Sequence, residues 1–109
     1  MDLNLTVLCG QLATDAEVRV FDSGTRLIRY LVILRVDHPR KRTDVIPVTF
    51  WEPDDEIAAA PGRKGDRVWV CGSVQRRYGE SVDGRRGMVE VVAEQVKLNV
   101  DDLEPVTAE

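Results

Sequence analysis

Apolar and polar positions alternate at period two along most of this chain. Leu3, Leu5 and Val7 alternate with Asn4, Thr6 and Leu8, and Cys9 continues the series. That spacing predicts a strand with one buried face. Gly10 interrupts it, and the strand is expected to bend or bulge there. Val18 and Val20 resume the alternation after a turn at Thr14-Asp15, and Asp22-Ser23-Gly24 forms a second turn. Leu27–Val36 is a long aliphatic and β-branched run interrupted by Arg29 and Tyr30, which predicts a buried, strongly curved strand. Pro39–Arg42 reads as a short exposed loop, because Pro39 excludes a continuous sheet. Thr43–Trp51 alternates again, with Val45, Pro47 and Thr49 on one face and Ile46, Val48 and Phe50 on the other. Pro47 cannot donate a ladder bond, so a bulge or a sheet edge is expected at that point. Val68, Val70 and Val74 mark the next strand. Gly79 and Val82-Asp83-Gly84 form the turn of a long hairpin, and Met88–Leu98 is the last strand.

One segment has helical character. Glu52–Ala60 places Pro53 in a first turn, the acids Asp54, Asp55 and Glu56 at the positive helix N-terminus, and three alanines after them. Pro61 and Gly62 end it. The predicted fold is therefore all-β: a five-stranded OB-fold barrel, one short helix between the third and fourth strands, and a long hairpin between the fourth and fifth. Residues 1–100 form one domain, and residues 101–109 form a short acidic tail expected to be flexible.

Charge complicates this picture. The net charge of −4 argues at first against a nucleic-acid partner. From Lys97 onward, however, one base faces four acids, so the remaining body is nearly neutral with 14 bases and 15 acids. The bases cluster at Arg40, Lys41 and Arg42, at Arg63, Lys64 and Arg67, at Arg76 and Arg77, and at Arg85 and Arg86. Local phosphate binding is compatible with such clusters, at lower strength than in a strongly basic protein. No apolar run reaches membrane-spanning length, and MDLNLTV has no basic stretch ahead of an apolar one. The expected location is cytoplasmic, with no membrane partner.

Catalysis has little support. His38 is the sole histidine and lies beside Pro39 in a basic loop. Asp54, Asp55 and Glu56 are explained by the helix dipole without a metal, so no metal or cofactor is expected. Cys9 and Cys71 lack metal-ligand spacing and are expected as free thiols. Single-strand binders instead need cations along a groove and flat rings on which bases stack. Arg40, Lys41, Arg42, Arg76, Arg77, Arg85 and Arg86 supply the cations. Trp51 and Tyr78 adjoin turn-forming sequence and are the stacking candidates, whereas Phe50 and Tyr30 read as core. Trp69 alternates with Val68 and Val70 and so faces away from the core.

Several motifs occur together in one order. Gly10, Leu12, Asp15, Glu17, Val18 and Arg19 are followed by Ser23-Gly24, then Lys64-Gly65-Asp66-Arg67-Val68-Trp69-Val70-Cys71-Gly72, then Arg76-Arg77-Tyr78, Asp83-Gly84 and Glu90-Val91-Val92. From about Asn4 to Leu98 the chain resembles the bacterial single-stranded DNA-binding proteins. The resemblance implies a non-catalytic, largely sequence-independent binder of single-stranded DNA in replication, recombination or repair. It implies a homotetramer ahead of a dimer, with replication or repair proteins as further partners. The chain departs from the family pattern with Ala16 in place of a Pro, His38 and Val45 in place of two stacking aromatics, and no long linker ending in an acidic tip with a terminal aromatic. These departures imply a diverged paralogue with weaker binding, at about 1–3 kcal/mol per lost stack. The alternative is a protein-interaction module on the same barrel, similar to a tail-less primosomal replication protein that binds nucleic acid weakly.

Overall fold

A computed structural model describes residues 1–77 and 88–99. It contains β1 (Thr6–Leu12), β2 (Glu17–Val20), β3 (Arg26–Val36), β4 (Arg42–Trp51), α1 (Asp55–Ala59), β5 (Arg67–Arg77) and β6 (Met88–Leu98). The strand order is β1-β5-β6-β4-β3-β2, and β1 also pairs with β3. Five strands therefore close into the expected OB barrel, with β4 and β6 parallel at Val48–Val91 and Thr49–Val92. The segment around Val18 and Val20 forms a sixth strand, β2, laid along the outer edge of β3 from Glu17–Arg29 to Val20–Arg26.

Tyr30, Ile28 and Val32 from β3 meet Val48, Val68, Val70, Val91 and Leu12 in the barrel interior. Phe50 and Ile46 pack partly buried against them, so the expected inner face of β4 is the observed one. The ladder from β4 to β3 runs unbroken past Leu31–Pro47, and pairing with β6 begins only at Val48. β4 is thus an edge on its β6 side up to Pro47, where a residue without an N–H is tolerated.

Two expectations need correction. In β1 the inward positions are Leu8, Gly10 and Leu12, while Leu3, Leu5 and Val7 are exposed. Both alternating sets hold leucines, so period alone could not choose between them. Closure of the barrel does: β1 pairs with β5 from Thr6–Gly72 to Gln11–Arg67 and also with β3 at Gln11–Ile33. A side chain at Gly10 would run into the Ile33 carbonyl, so this close crossing needs glycine at that point. The bulge lies instead in β5, between Cys71 and Gly72.

The helix is also shorter than Glu52–Ala60. Asp54 is its N-cap, and its Oδ1 accepts from the Ile57 N–H at 2.9 Å. Glu52 has a φ of 51°, outside helical space, and Pro53 is buried ahead of the cap rather than within the first turn. Arg26 Nη2 anchors this entry by donating to the Pro53 carbonyl at 3.2 Å and to Asp55 Oδ1 at 2.8 Å. The acids therefore serve as cap and ion-pair partner, and no metal-binding cluster occurs among the described residues.

Trp69 faces outward, as expected, with Lys97 Nζ 5.8 Å from its ring centre. Cys9 lies opposite Trp69, and Val7 lies opposite Cys71. Directly opposed residues share a face, so both thiols stand on one outer face. Both are free.

Candidate nucleic-acid interface

In OB barrels the second and third strands present the oligonucleotide-binding face. Here those strands are β3 and β4. Cross-strand register arranges their outer face in rows: Arg19, Leu27 and Trp51; then Glu17, Arg29 and Thr49; then Leu31 and Pro47; then Ile33 and Val45. The β3–β4 connection carries Arg40, Lys41 and Arg42, all exposed. Arg42 already pairs with Asp44 at 2.9 Å. Trp51 stands at the far end of β4, roughly 30 Å along the strand from Arg42. The basic loop and the aromatic thus mark the two ends of one face instead of forming a single patch.

Trp51 is 44% exposed, and its ring lies 5.9 Å from that of Phe21 at an interplanar angle of 17°. Phe21 is 42% exposed and sits where β2 ends, its N–H donating to the Thr25 carbonyl at 2.8 Å. Leu27, opposite Trp51, is buried although it lies outside the barrel core. A small apolar island therefore supports two near-parallel, solvent-facing rings. Phe21 is a ring that strand periodicity does not single out. The signal was present, because Phe21 adjoins the Asp22-Ser23-Gly24 turn just as Trp51 adjoins its own break.

Arg76 is exposed near the end of β5 and lies opposite Val89 of β6. Arg77 lies opposite Met88. Tyr78, Arg85 and Arg86 fall outside the described residues. Tyr30 belongs to the core at 2% exposure, where burial pushes its phenol above its ordinary range.

Beside the aromatic pair, a cleft of about 290 Å³ opens on the same face, with Arg29 and Thr49 in its lining. Thr49 is only 2% exposed, and its hydroxyl donates to Glu90 Oε1 at 2.8 Å. The interface is thus mixed in charge at its centre and basic at its loop end.

Residues 3–99 match the model of the single-strand binding protein family. The chain belongs to that family. It is 32% identical over 101 residues to a single-stranded DNA-binding protein of Caldanaerobacter subterraneus subsp. tengcongensis, covering 88% of this chain and 67% of the relative. It is 33% identical to single-stranded DNA-binding protein 2 of Listeria innocua over 88% of this chain and 64% of the relative. A single-stranded DNA-binding protein of Neisseria meningitidis is 30% identical over 90% of this chain and 60% of its own length. The chain thus spans about two thirds of the length of the curated relatives it matches. Family membership makes it a binding protein and not an enzyme. No described helix is long and apolar enough to cross a membrane.

Proposed function

We propose that this protein binds single-stranded DNA, without catalysis and with broad sequence tolerance, along the outer face of β3 and β4. The observation that carries this reading is the exposed Phe21–Trp51 pair on the strand face that OB barrels use for oligonucleotides, in a chain of this family. Bases stack on Trp51 and Phe21 at one end. Phosphates meet Arg40, Lys41 and Arg42 at the other. Tyr78 supplies a further ring from the hairpin, and Arg76, Arg77, Arg85 and Arg86 supply further cations. The work of such a protein lies in replication, recombination or repair, in the cytoplasm and at the nucleoid.

The protein acts as a homo-oligomer, with a tetramer as the favoured form. Leu3 and Leu5 ahead of β1, and Val7 within it, are exposed, and Cys71 and Trp69 share the outer face of Val7 and Cys9. Contiguous exposed apolar surface of this kind marks an association site.

Titration of tryptophan fluorescence with poly-dT tests the reading. Trp51→Ala, Phe21→Ala and Tyr78→Ala are each expected to weaken binding by about 1–3 kcal/mol while circular dichroism stays native. Unchanged affinity in all three variants would remove the stacking assignment. A dimer with only micromolar, salt-sensitive binding would point instead to the protein-interaction module.

A further inference from the structure

β2 is the last strand of the sheet, and no strand among the described residues pairs with its outer edge. Such an edge offers unpaired backbone groups to another chain. Which groups are on offer follows from the hairpin. The Phe21 N–H donates to the Thr25 carbonyl at 2.8 Å, toward β3. Backbone groups alternate in direction along an antiparallel strand. Those of Arg19 and Glu17 therefore also face β3, and those of Val18 and Val20 face outward. The side chains at this edge are apolar and open. Val20 is 67% exposed, and Val18 and Phe21 are exposed beside it.

A second copy of β2 is the occupant that this edge fits. Two identical strands pair about a two-fold axis, so residues meet their own counterparts reciprocally. Three registers keep the outward groups of Val18 or Val20 in use. Centred on Arg19, the two guanidiniums would lie directly opposite each other, which is destabilising. Centred on Val18, the second copy's Val20 would lie opposite Ala16, whose N–H already donates to the Gly62 carbonyl at 3.1 Å. Centred on Val20, neither conflict arises. The two valines meet and exchange both backbone bonds, and Arg19 of each copy lies opposite Phe21 of the other, a cation against a ring face. Arg19 is available for this, because its pair with Glu17 is exposed and loose at 3.5 Å. An unrelated strand would have to reproduce this order of arginine, valine and aromatic in reverse, whereas a second copy supplies it by symmetry.

We infer that the β2 edge is a homotypic contact, paired antiparallel about Val20, through which copies bound side by side on one single strand hold each other. The inference rests on the single-strand-binding reading above and adds a contact between neighbours to it. So few residues a side fall well short of the ~1,200 Å² of a stable interface. The contact is therefore weak between free molecules and forms where a shared strand keeps neighbours at high effective concentration. It also brings the Phe21–Trp51 pairs of two copies onto one surface, since Arg19 and Phe21 share a strand face with Trp51.

Band-shift titration with long poly-dT, set beside an oligo-dT that holds a single assembly, tests it. At subsaturating protein, coated and bare poly-dT molecules are expected to coexist, with binding next to a neighbour about tenfold tighter than binding alone. Val20→Pro removes an outward N–H and no bond to β3, a substitution that sheet edges tolerate. It should keep native circular dichroism and the affinity for the short oligo-dT, and should spread evenly over poly-dT. As a second measure, oxidation of Val20→Cys on poly-dT should give a covalent dimer absent from the unaltered protein, because bonded cross-strand pairs lie about 5.5 Å apart, within disulfide reach. This measure decides the matter if Val20→Pro does not fold. Even spreading of the unaltered protein would overturn the inference and leave the wider reading standing. So would clustering by Val20→Pro as strong as the parent's, no covalent dimer on poly-dT, or a dimer that forms equally without DNA. Failure to bind any oligonucleotide would overturn both.

Discussion

Tyr30 shows how one residue can be fixed by packing alone. Its ring fills the barrel interior, and its hydroxyl has no hydrogen-bond partner among the described residues. Burial disfavours the phenolate, so the phenol is raised above its ordinary 10.0. In the unfolded chain the group ionises near that ordinary value. Its stabilising contribution is therefore complete below about pH 10 and is lost as pH rises above it. Urea denaturation across alkaline pH should show stability falling in that range. Tyr30→Phe should flatten the fall and cost little near neutrality, because it removes a group with no bond to lose. A variant that loses stability with pH as steeply as the parent would show that another group governs the alkaline limb. Phe21 and Trp51 are the opposite case. Their rings remain near half exposed, and their position at a strand end is better explained by what they offer a ligand than by what they bury.

Among the elements, the β3–β4 hairpin does most to position the site. Its ten paired positions, from Leu27–Trp51 to Val36–Arg42, hold the aromatic end and the basic end at fixed separation. Arg40, Lys41 and Arg42 form its connection and the start of β4. Each phosphate contact removed from a single strand reduces the log–log salt slope by roughly 0.7. An Arg40→Ala, Lys41→Ala, Arg42→Ala triple variant should lower the poly-dT slope by up to about 2, the shortfall reflecting the Asp44 pair that already holds Arg42. An unchanged slope would assign phosphate binding to the β5–β6 arginines. The helix, in contrast, has a structural part. Asp54 caps it and Asp55 ties it to Arg26, so its acidic start carries no chemistry of its own.

At the scale of the whole molecule the proposed function rests on two surfaces. One is the β3–β4 face with its rings and cleft. The other is the outer surface of β1 and β5, where Val7, Cys9, Trp69 and Cys71 are neighbours in register. Asn4 secures the approach to β1 by donating to the Val74 carbonyl at 2.7 Å and accepting from the Val74 N–H at 3.0 Å. Val7 is 55% exposed, and a charge there would be trapped in an apolar contact on association. Sedimentation equilibrium should find the parent as an oligomer, and Val7→Asp should shift it toward monomer while the barrel stays folded. A parent that sediments as a monomer would exclude this surface as a subunit contact.

The barrel itself was legible in the amino-acid order. Period-two runs, glycines and turn residues specify strands and breaks locally, and Asp54 to Gly62 specify a short helix between two of them. The family motifs are equally local, since they are read in one order along the chain. What the order could not decide were relations between distant segments. Leu3, Leu5 and Val7 against Leu8 and Leu12 gave two apolar series for one strand, and only barrel closure at Gly10 selected the inward one. Phe21 and Trp51 are thirty residues apart and became a ring pair through the pairing of β3 with both β2 and β4. Arg29 was a charge in an apolar run until cross-strand register placed Glu17 on one side and Thr49 on the other. Periodicity encodes which residues share a face of one strand. Which strands lie side by side, and at what offset, is set by long-range packing, and both the aromatic pair and the cleft are made there.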